Sequence, residues 1–139
     1  MSANIKKTAT ITGKVILRYP APFGTPLKSV VLDATDSTSW PAPTAADYES
    51  GDSRFSVPAG TILAYSATNT DQVIKYAGGS VGDIIGILSS PIDLVANATK
   101  SDEGAAAWFT GVVFATEDIV DFTVYTSALL NDLDLCLFQ

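Results

Sequence analysis

The chain of 139 residues has no histidine and a single cysteine, Cys136. Their scarcity excludes Ser-His-Asp and Cys-His nucleophile pairs, and also zinc sites that need histidine or several cysteines. Acidic pairs such as Asp132 and Asp134 are interpreted as solvated surface, because a calcium site needs several further oxygen ligands. We therefore expect no catalytic residues, no metal and no cofactor, and we expect Cys136 to be a small buried apolar residue.

Charged residues are also few, at 17% of the chain against about 25% in an average soluble domain. They are unevenly placed, since residues 1–70 carry six basic and five acidic side chains while residues 71–139 carry two and ten. The resulting net charge of −7 would repel a phosphate backbone, so we expect no nucleic-acid partner. The apolar share of 47% predicts a folded domain and not a disordered chain.

Long hydrophobic runs are absent as well. Aliphatic stretches such as 84–88 break within about six residues, whereas a helix that crosses a bilayer needs about 20. The first residues include Lys6 and Lys7 but continue with threonines where a signal peptide would be apolar. These patterns predict no membrane partner and synthesis in the cytoplasm.

The sequence does contain short runs of β-branched and apolar residues, separated by Gly, Asn and Asp turns at about ten-residue intervals. Such spacing is typical of an all-β sandwich or barrel. We predict strands at 8–19, 27–35, 55–60, 61–65, 72–76, 84–88, 107–116, 121–126 and 133–138. One short helix is predicted at 126–132, with Thr126 or Ser127 as its N-cap.

Prolines divide the chain into an N-terminal strand-forming arm, residues 1–19, and a single β-rich domain, residues 20–139. The cluster of Pro20, Pro22 and Pro26 ends the first strand, because proline is excluded from central strands. Residues 36–54 are predicted as a surface loop with one helical turn at 45–49. The expected fold is therefore mainly β and compact, similar to a sandwich, barrel or β-clip, with one or two short helices.

Three large aromatic residues are candidates for contacts with other molecules: Trp40, Trp108 and Phe109. Aromatic rings of this kind anchor cores and subunit interfaces, and they also stack on sugar rings. We assign them to a candidate subunit interface. A carbohydrate-binding, adhesin-like module stays open as an alternative.

A series of short motifs runs from Pro58 to Val113. It consists of a Pro-x-Gly-Thr-x-Leu strand start, a strand ending at tyrosine, a Gly-Ile-Leu run followed by aspartate, and a hydrophobic strand with Gly-Val. The residues are Pro58, Gly60, Thr61, Leu63, Tyr76, Gly86, Ile87, Leu88, Asp93 and Gly111. In order and approximate spacing the series resembles the lambda-type head decoration proteins of tailed phages.

This resemblance implies a virion structural protein without enzymatic activity, which binds the outer surface of the expanded phage head as a homotrimer and stabilises it. It implies two partners, the major capsid protein and other copies of the same chain. It also implies a place on the outer capsid surface after synthesis in the host cytoplasm. A phage tail or baseplate component stays open as an alternative.

In the family that the chain resembles, the capsid contact is an N-terminal arm that adds a strand to a capsid sheet. The corresponding residues here are Ile5, Lys6, Lys7, Thr8, Thr10, Ile11, Lys14 and Val15. An exposed β-rich segment offers unpaired N–H and C=O groups for such an addition. Pairing of this segment within its own domain or trimer remains an equal alternative at the level of sequence.

Overall fold

Short strands dominate the computed structural model, which describes residues 16–36, 38–40, 54–78, 82–95 and 103–139. The strands are β1 (Leu27–Leu32), β2 (Arg54–Val57), β3 (Ile62–Tyr65), β4 (Val73–Lys75), β5 (Ile84–Leu88), β6 (Ile92–Val95), β7 (Glu103–Trp108), β8 (Val113–Phe114) and β9 (Leu137–Phe138). The described helical elements are a 3-10 turn at Thr116–Asp118 and the helix α1 at Thr126–Asp132. The mainly β fold predicted from the sequence is confirmed.

Five of the strands close into a barrel in the order β1-β4-β3-β5-β7, and β7 returns to pair with β1. Neighbouring strands are antiparallel except β1 and β4, which run parallel. Two smaller sheets accompany the barrel, an antiparallel pair of β2 and β6 and a parallel pair of β8 and β9. Of the predicted architectures, the chain therefore adopts the barrel.

Alternate residues of the barrel strands fill its interior. In β1, Val30 and Leu32 are buried while Val31 between them is exposed, which is the period-2 pattern of a strand with one face on a core. The buried members of this inner core are Val30, Leu32, Ala34, Trp40, Val57, Leu63, Val73, Leu88 and Ala107. Each large side chain buried here contributes about 1.5–3 kcal/mol through removal of apolar surface from water.

A second core lies outside the barrel, where the C-terminal part of the chain covers β3 and β5. Ile62 and Ile87 lie next to inner-core residues in their strands, yet they are buried because this layer covers them. The buried members of the second core are Ile16, Ala59, Ile62, Ile84, Ile87, Val112, Phe114, Ile119, Leu129, Leu133 and Cys136. The acidic C-terminal part is therefore an integral layer of the fold.

The predicted strands at 27–35, 55–60, 61–65, 72–76 and 84–88 are confirmed as β1, β2, β3, β4 and β5, with ends that differ by at most three residues. The helix predicted at 126–132 is confirmed as α1, but its predicted N-cap is wrong. Tyr125 occupies the cap position and forms no side-chain cap hydrogen bond. The Thr126 hydroxyl instead donates backward to the Phe122 carbonyl oxygen at 2.7 Å.

Three predicted strands near the C-terminus need correction. Residues 121–125 form turns and not a strand, because Asp121 has a φ of 61° and its carbonyl accepts hydrogen bonds from the Val124 and Tyr125 N–H groups. The strand predicted at 107–116 begins earlier and ends at Trp108, after which the chain turns before β8. The strand predicted at 133–138 is confined to β9, and residues 133–136 form a turn.

Part of the predicted arm and loop lies outside the described residues, namely 1–15, 37 and 41–53, and with them the helical turn predicted at 45–49. From the predicted strand 8–19, the described residues include only an isolated antiparallel bridge between Leu17 and Phe114. From the predicted loop 36–54, the Trp40 N–H donates to the Asp36 carbonyl at 3.0 Å in a turn. Arg54 already belongs to β2.

Candidate attachment site at the arm root

Residues 16–18, which we call the arm root, fasten the N-terminal segment to the body. Ile16 lies in the second core with 1% of its surface exposed. The Arg18 N–H donates to the Val113 carbonyl at 2.8 Å, and the Ala115 N–H donates to the Ile16 carbonyl at 2.8 Å. The last residues of the predicted arm are therefore part of the folded domain.

The Arg18 side chain adds a second attachment. Its Nη2 donates to Glu117 Oε1 at 2.6 Å and to the Gln139 carbonyl oxygen at 3.2 Å. Hydrogen bonding from the Glu117 backbone N–H, together with the Arg18 guanidinium, lowers the pKa of the Glu117 carboxyl. Because the pair is exposed, its main effect is to orient the arm root and not to stabilise the fold.

The arm root directly follows residues 1–15 in the sequence. The predicted capsid contacts, which are Ile5, Lys6, Lys7, Thr8, Thr10, Ile11, Lys14 and Val15, lie outside the described residues. The first described residue, Ile16, follows Val15 directly and is fully packed. Any contact made by the arm therefore begins one residue from a fixed support.

Several of the motif residues belong to the two cores. Leu63 and Leu88 are fully buried in the inner core, and Ile87 is fully buried in the second. Thr61 is buried, and its hydroxyl donates to the Pro58 carbonyl at 2.7 Å. These residues are explained by packing and by the turn that begins β3.

The glycines of the motif allow close approach of neighbouring backbone. At Gly60, where φ is +93°, an added Cβ would lie 2.2 Å from the Asp118 carbonyl oxygen. At Gly86, an added Cβ would lie 3.0 Å from both the Ala107 Cβ and the Trp108 carbonyl oxygen. Gly111 has a φ of +70° in the turn between β7 and β8. These positions require glycine for reasons of backbone conformation and space.

Two further motif residues are Tyr76, which lies just after a strand, and Asp93, which lies within a strand. Tyr76 follows β4, and its ring contacts that of Tyr125 edge to face with centroids 5.0 Å apart. Asp93 lies in β6 at the register position opposite Ser56 of β2. The motif residues thus shape the barrel and its outer layer.

The three aromatic candidates differ in exposure. Trp40 is 2% exposed, and its indole N–H donates to the Asp33 carbonyl at 2.8 Å, so its assignment to a subunit interface or to sugar stacking is wrong. Its ring is fully packed within its own chain. Trp108 and Phe109 are half-buried, and the Lys28 ammonium lies 4.9 Å from the centre of the Phe109 ring.

Sequence reasoning missed a buried carboxylate, Asp33, which is 3% exposed at the end of β1. Its oxygens accept hydrogen bonds from the Thr35 N–H and hydroxyl and from the Asn69 side-chain amide, the last at 2.7 Å. Burial raises the pKa of Asp33, but these hydrogen bonds outweigh burial, and the pKa lies below its ordinary value. The Asp-x-Thr spacing after a strand was the available signal, because such residues form side-chain to backbone turns.

The cleft beside Asp33 measures about 310 Å³ and is lined by Thr35, Ser66 and Asn69 among others. The donors around Asp33 are bonded to it, and the Ser66 hydroxyl accepts the Thr68 and Asn69 N–H groups. The cluster thus ties the end of β1 to the turn between β3 and β4. It is a structural network and offers no proton-transfer pair.

A second cleft of about 310 Å³ lies between β5, Phe109 and the acidic residues Asp132 and Asp134. The Asp132 carboxylate accepts the Ile84 N–H at 3.0 Å, so it supports the start of β5. Across the described ranges, no three His, Cys, Asp or Glu side chains are grouped closely enough to hold a metal ion.

Cys136 is buried as predicted, and its burial raises the pKa of the thiol. No helix among the residues that the structure describes is long and apolar enough to cross a bilayer. Comparisons of the chain with protein-family models, with curated proteins and with solved structures found no match.

Proposed function

We propose that this protein is a structural component of a virion, a decoration protein that binds the outer surface of the expanded phage head as a homotrimer and stabilises it. It acts without catalysis and without a cofactor. Its partners are the major capsid protein and other copies of the same chain. The observation that carries the proposal is the arm root, which holds the base of the N-terminal segment on the body.

A fixed base favours attachment by an arm. Binding by an extended segment loses conformational freedom, and this cost is smaller when one end of the segment is already held. Ile16 is packed in the second core, and both backbone and side-chain hydrogen bonds hold Arg18. Force applied to a docked arm would therefore be transmitted to the barrel.

The composition of residues 1–15 supports the same role. They contain Lys6, Lys7 and Lys14 and no acidic residue, whereas the whole chain has a net charge of −7. Their β-branched residues favour an extended strand, whose backbone can pair with the edge of a capsid sheet. The lysines would then lie against an acidic rim of the capsid protein.

The direct test is sedimentation of the purified protein with emptied, expanded capsids of the phage that encodes it. Wild-type protein is expected in the pellet at a saturable ratio. A chain lacking residues 1–12 should keep its circular dichroism spectrum and stay in the supernatant, while a Lys75→Ala control in the body should bind normally. Saturable binding by the truncated chain, or absence of binding by wild type, would contradict the proposal.

A further inference from the structure

One face of the barrel carries no charged residue. On β1 the outward residues are those that alternate with the buried Val30 and Leu32, and β7 supplies the residues directly opposite them. The six outward residues, which we call the neutral face, are Leu27, Ser29, Val31, Gly104, Ala106 and Trp108, of which Trp108 also packs partly against the second core. Leu27 and Val31 are 43% and 38% exposed, so large apolar side chains remain in water on this face of a single chain.

A hydrogen-bonded turn at residues 22–25 precedes β1. The Thr25 N–H and hydroxyl both donate to the Pro22 carbonyl, and Gly24 takes a φ of +86°. Phe23 at the tip of this turn is completely exposed. Prolines on both sides restrict the backbone, so Phe23 can contact another surface with little further loss of freedom.

The only charged side chain between Tyr19 and Val31 is that of Lys28. Its position in β1 alternates with the outward residues, and its ammonium lies 4.9 Å from the centre of the Phe109 ring. From the turn to the end of β1, the outward positions therefore carry no charged side chain.

The charges elsewhere on the surface indicate which partner this face fits. Among the described residues, the exposed charged side chains are acidic except Arg18 and Lys75, which are paired with Glu117 and Asp121. Opposed carboxylates would cost several kcal/mol at a contact between two copies of such a chain. A basic partner would instead be attracted to the acidic surfaces, so an uncharged face is the one suited to a second copy.

We propose that the neutral face and the Phe23 turn form the contact between copies of this chain. This inference rests on the proposed function in one respect, namely that the number of copies in contact is three. Apolar residues on both sides of the contact would be removed from water, and the small residues Ser29, Gly104 and Ala106 leave room for the larger side chains of the neighbouring copy. The acidic surfaces would then remain in solvent.

Sedimentation equilibrium of the free protein at several concentrations tests this contact. Wild type should assemble, with the mass of three chains at high concentration. Ser29→Glu and Phe23→Ser alter exposed positions, so both should fold, and each should raise the concentration at half-assembly at least about tenfold, the effect of about 1.4 kcal/mol. Val124→Glu is the matched control, because Val124 is 66% exposed and lies in the turn at 121–125.

Two results would overturn the inference: wild type that stays monomeric at every concentration, or Ser29→Glu and Phe23→Ser chains that assemble like wild type. Circular dichroism of each variant shows whether it is folded. Capsid sedimentation separates this inference from the proposed function. A monomeric wild type that still binds capsids refutes the contact and leaves attachment in place, whereas a trimer that depends on Ser29 but binds no capsid refutes the decoration role alone.

Discussion

Arg18 and Glu117 are 99 residues apart in the sequence, and their side chains form an ion pair in which Arg18 Nη2 lies 2.6 Å from Glu117 Oε1. The pair joins the arm root to the 3-10 turn that follows β8. The arm root is therefore held by the backbone of β8 and by this side-chain contact. Both attachments involve the residues that directly follow the proposed arm in the sequence.

Glu117→Gln should accelerate tryptic cleavage after Arg18. Trypsin must bind the guanidinium that Glu117 now holds, and loss of the carboxylate frees it. Because exposed ion pairs contribute little to stability, the melting temperature should barely change. Mass spectrometry of the products over time gives the rate, with cleavage after Lys14 as an internal reference. Equal rates at Arg18 in Glu117→Gln and in an Asp118→Asn control would show that the pair does not hold the arm root.

Gly60→Ala should destabilise the fold by about 3 kcal/mol or more, the sum of left-handed strain and overpacking. The added Cβ would lie 2.2 Å from the Asp118 carbonyl oxygen, which cannot move without displacing the outer layer. Gly24→Ala is the matched control, since Gly24 also has positive φ but has no atom within 4 Å of the added Cβ. It should cost only about 1–2 kcal/mol. Urea unfolding measures both, and equal losses would contradict the close contact.

Asp33→Asn should remove part of the acid sensitivity of the fold. The pKa of Asp33 is lowered in the folded chain, so its carboxylate stabilises the fold fully above the ordinary value of 3.8. That contribution is lost as the pH falls through the lower, folded pKa. The variant should lose about 1–3 kcal/mol at pH 7, because an amide cannot accept all three hydrogen bonds.

The measurement for Asp33 is the free energy of unfolding in urea at pH 7 and at pH 2.5. Wild type should lose more stability between these values than Asp33→Asn does. A Ser127→Ala variant, which changes an exposed residue without a titratable group, should follow wild type. A variant at position 33 whose pH dependence matches that of wild type would refute the role assigned to the carboxylate.

Cys136 should make the fold sensitive to alkali. Burial raises the pKa of its thiol, the Asp134 charge adds to this, and a hydrogen bond involving Val112 offsets only part of it. Stability from the neutral thiol is therefore complete below the ordinary value of 9.0 and is lost as the pH rises through the higher, folded pKa. Unfolding in urea at pH 8 and pH 10.5 should show a larger loss for wild type than for Cys136→Ala, and equal losses would argue against a buried thiol.

Capsid attachment should depend only weakly on salt. Strand hydrogen bonds and buried apolar area are barely screened, while exposed ion pairs contribute about 0–1 kcal/mol each. Raising the salt from about 50 mM to about 500 mM should weaken binding by less than about tenfold. Sedimentation binding curves at the two salt concentrations measure this. A thousandfold loss would indicate that charged surface, and not the arm, makes the contact.

Strands with clear alternation or bounded by strong turn residues could be predicted from the sequence. β1, β3 and β5 follow this rule, because their apolar residues lie between glycine, proline or aspartate turns. Residues 121–126 misled the prediction. Their alternation of polar and apolar residues resembles a strand, but Asp121 adopts positive φ and Phe122 packs against Phe138 from the C-terminal end.

The candidate site was less predictable than the fold. Arg18 had no local feature that distinguished it from the other basic residues, because its partner Glu117 lies far along the chain and becomes a neighbour only through the second core. For Trp40, the residue type itself misled the prediction. Its residue type suggested an interface, but its burial depends on the closed barrel and on the Asp33 carbonyl, which no local pattern reveals.

Closure of the barrel by β1 and β7 has a consequence for synthesis on the ribosome. Leu27 pairs with Trp108, so the ring cannot close until most of the chain has been translated. The second core, to which Ile16 belongs, forms later still, because its members include Leu133 and Cys136. Folding that depends on such distant pairings is slow, and the apolar strands stay exposed meanwhile. A nascent chain of this kind would benefit from chaperones, and an interruption of translation near the end would leave the barrel without its outer layer.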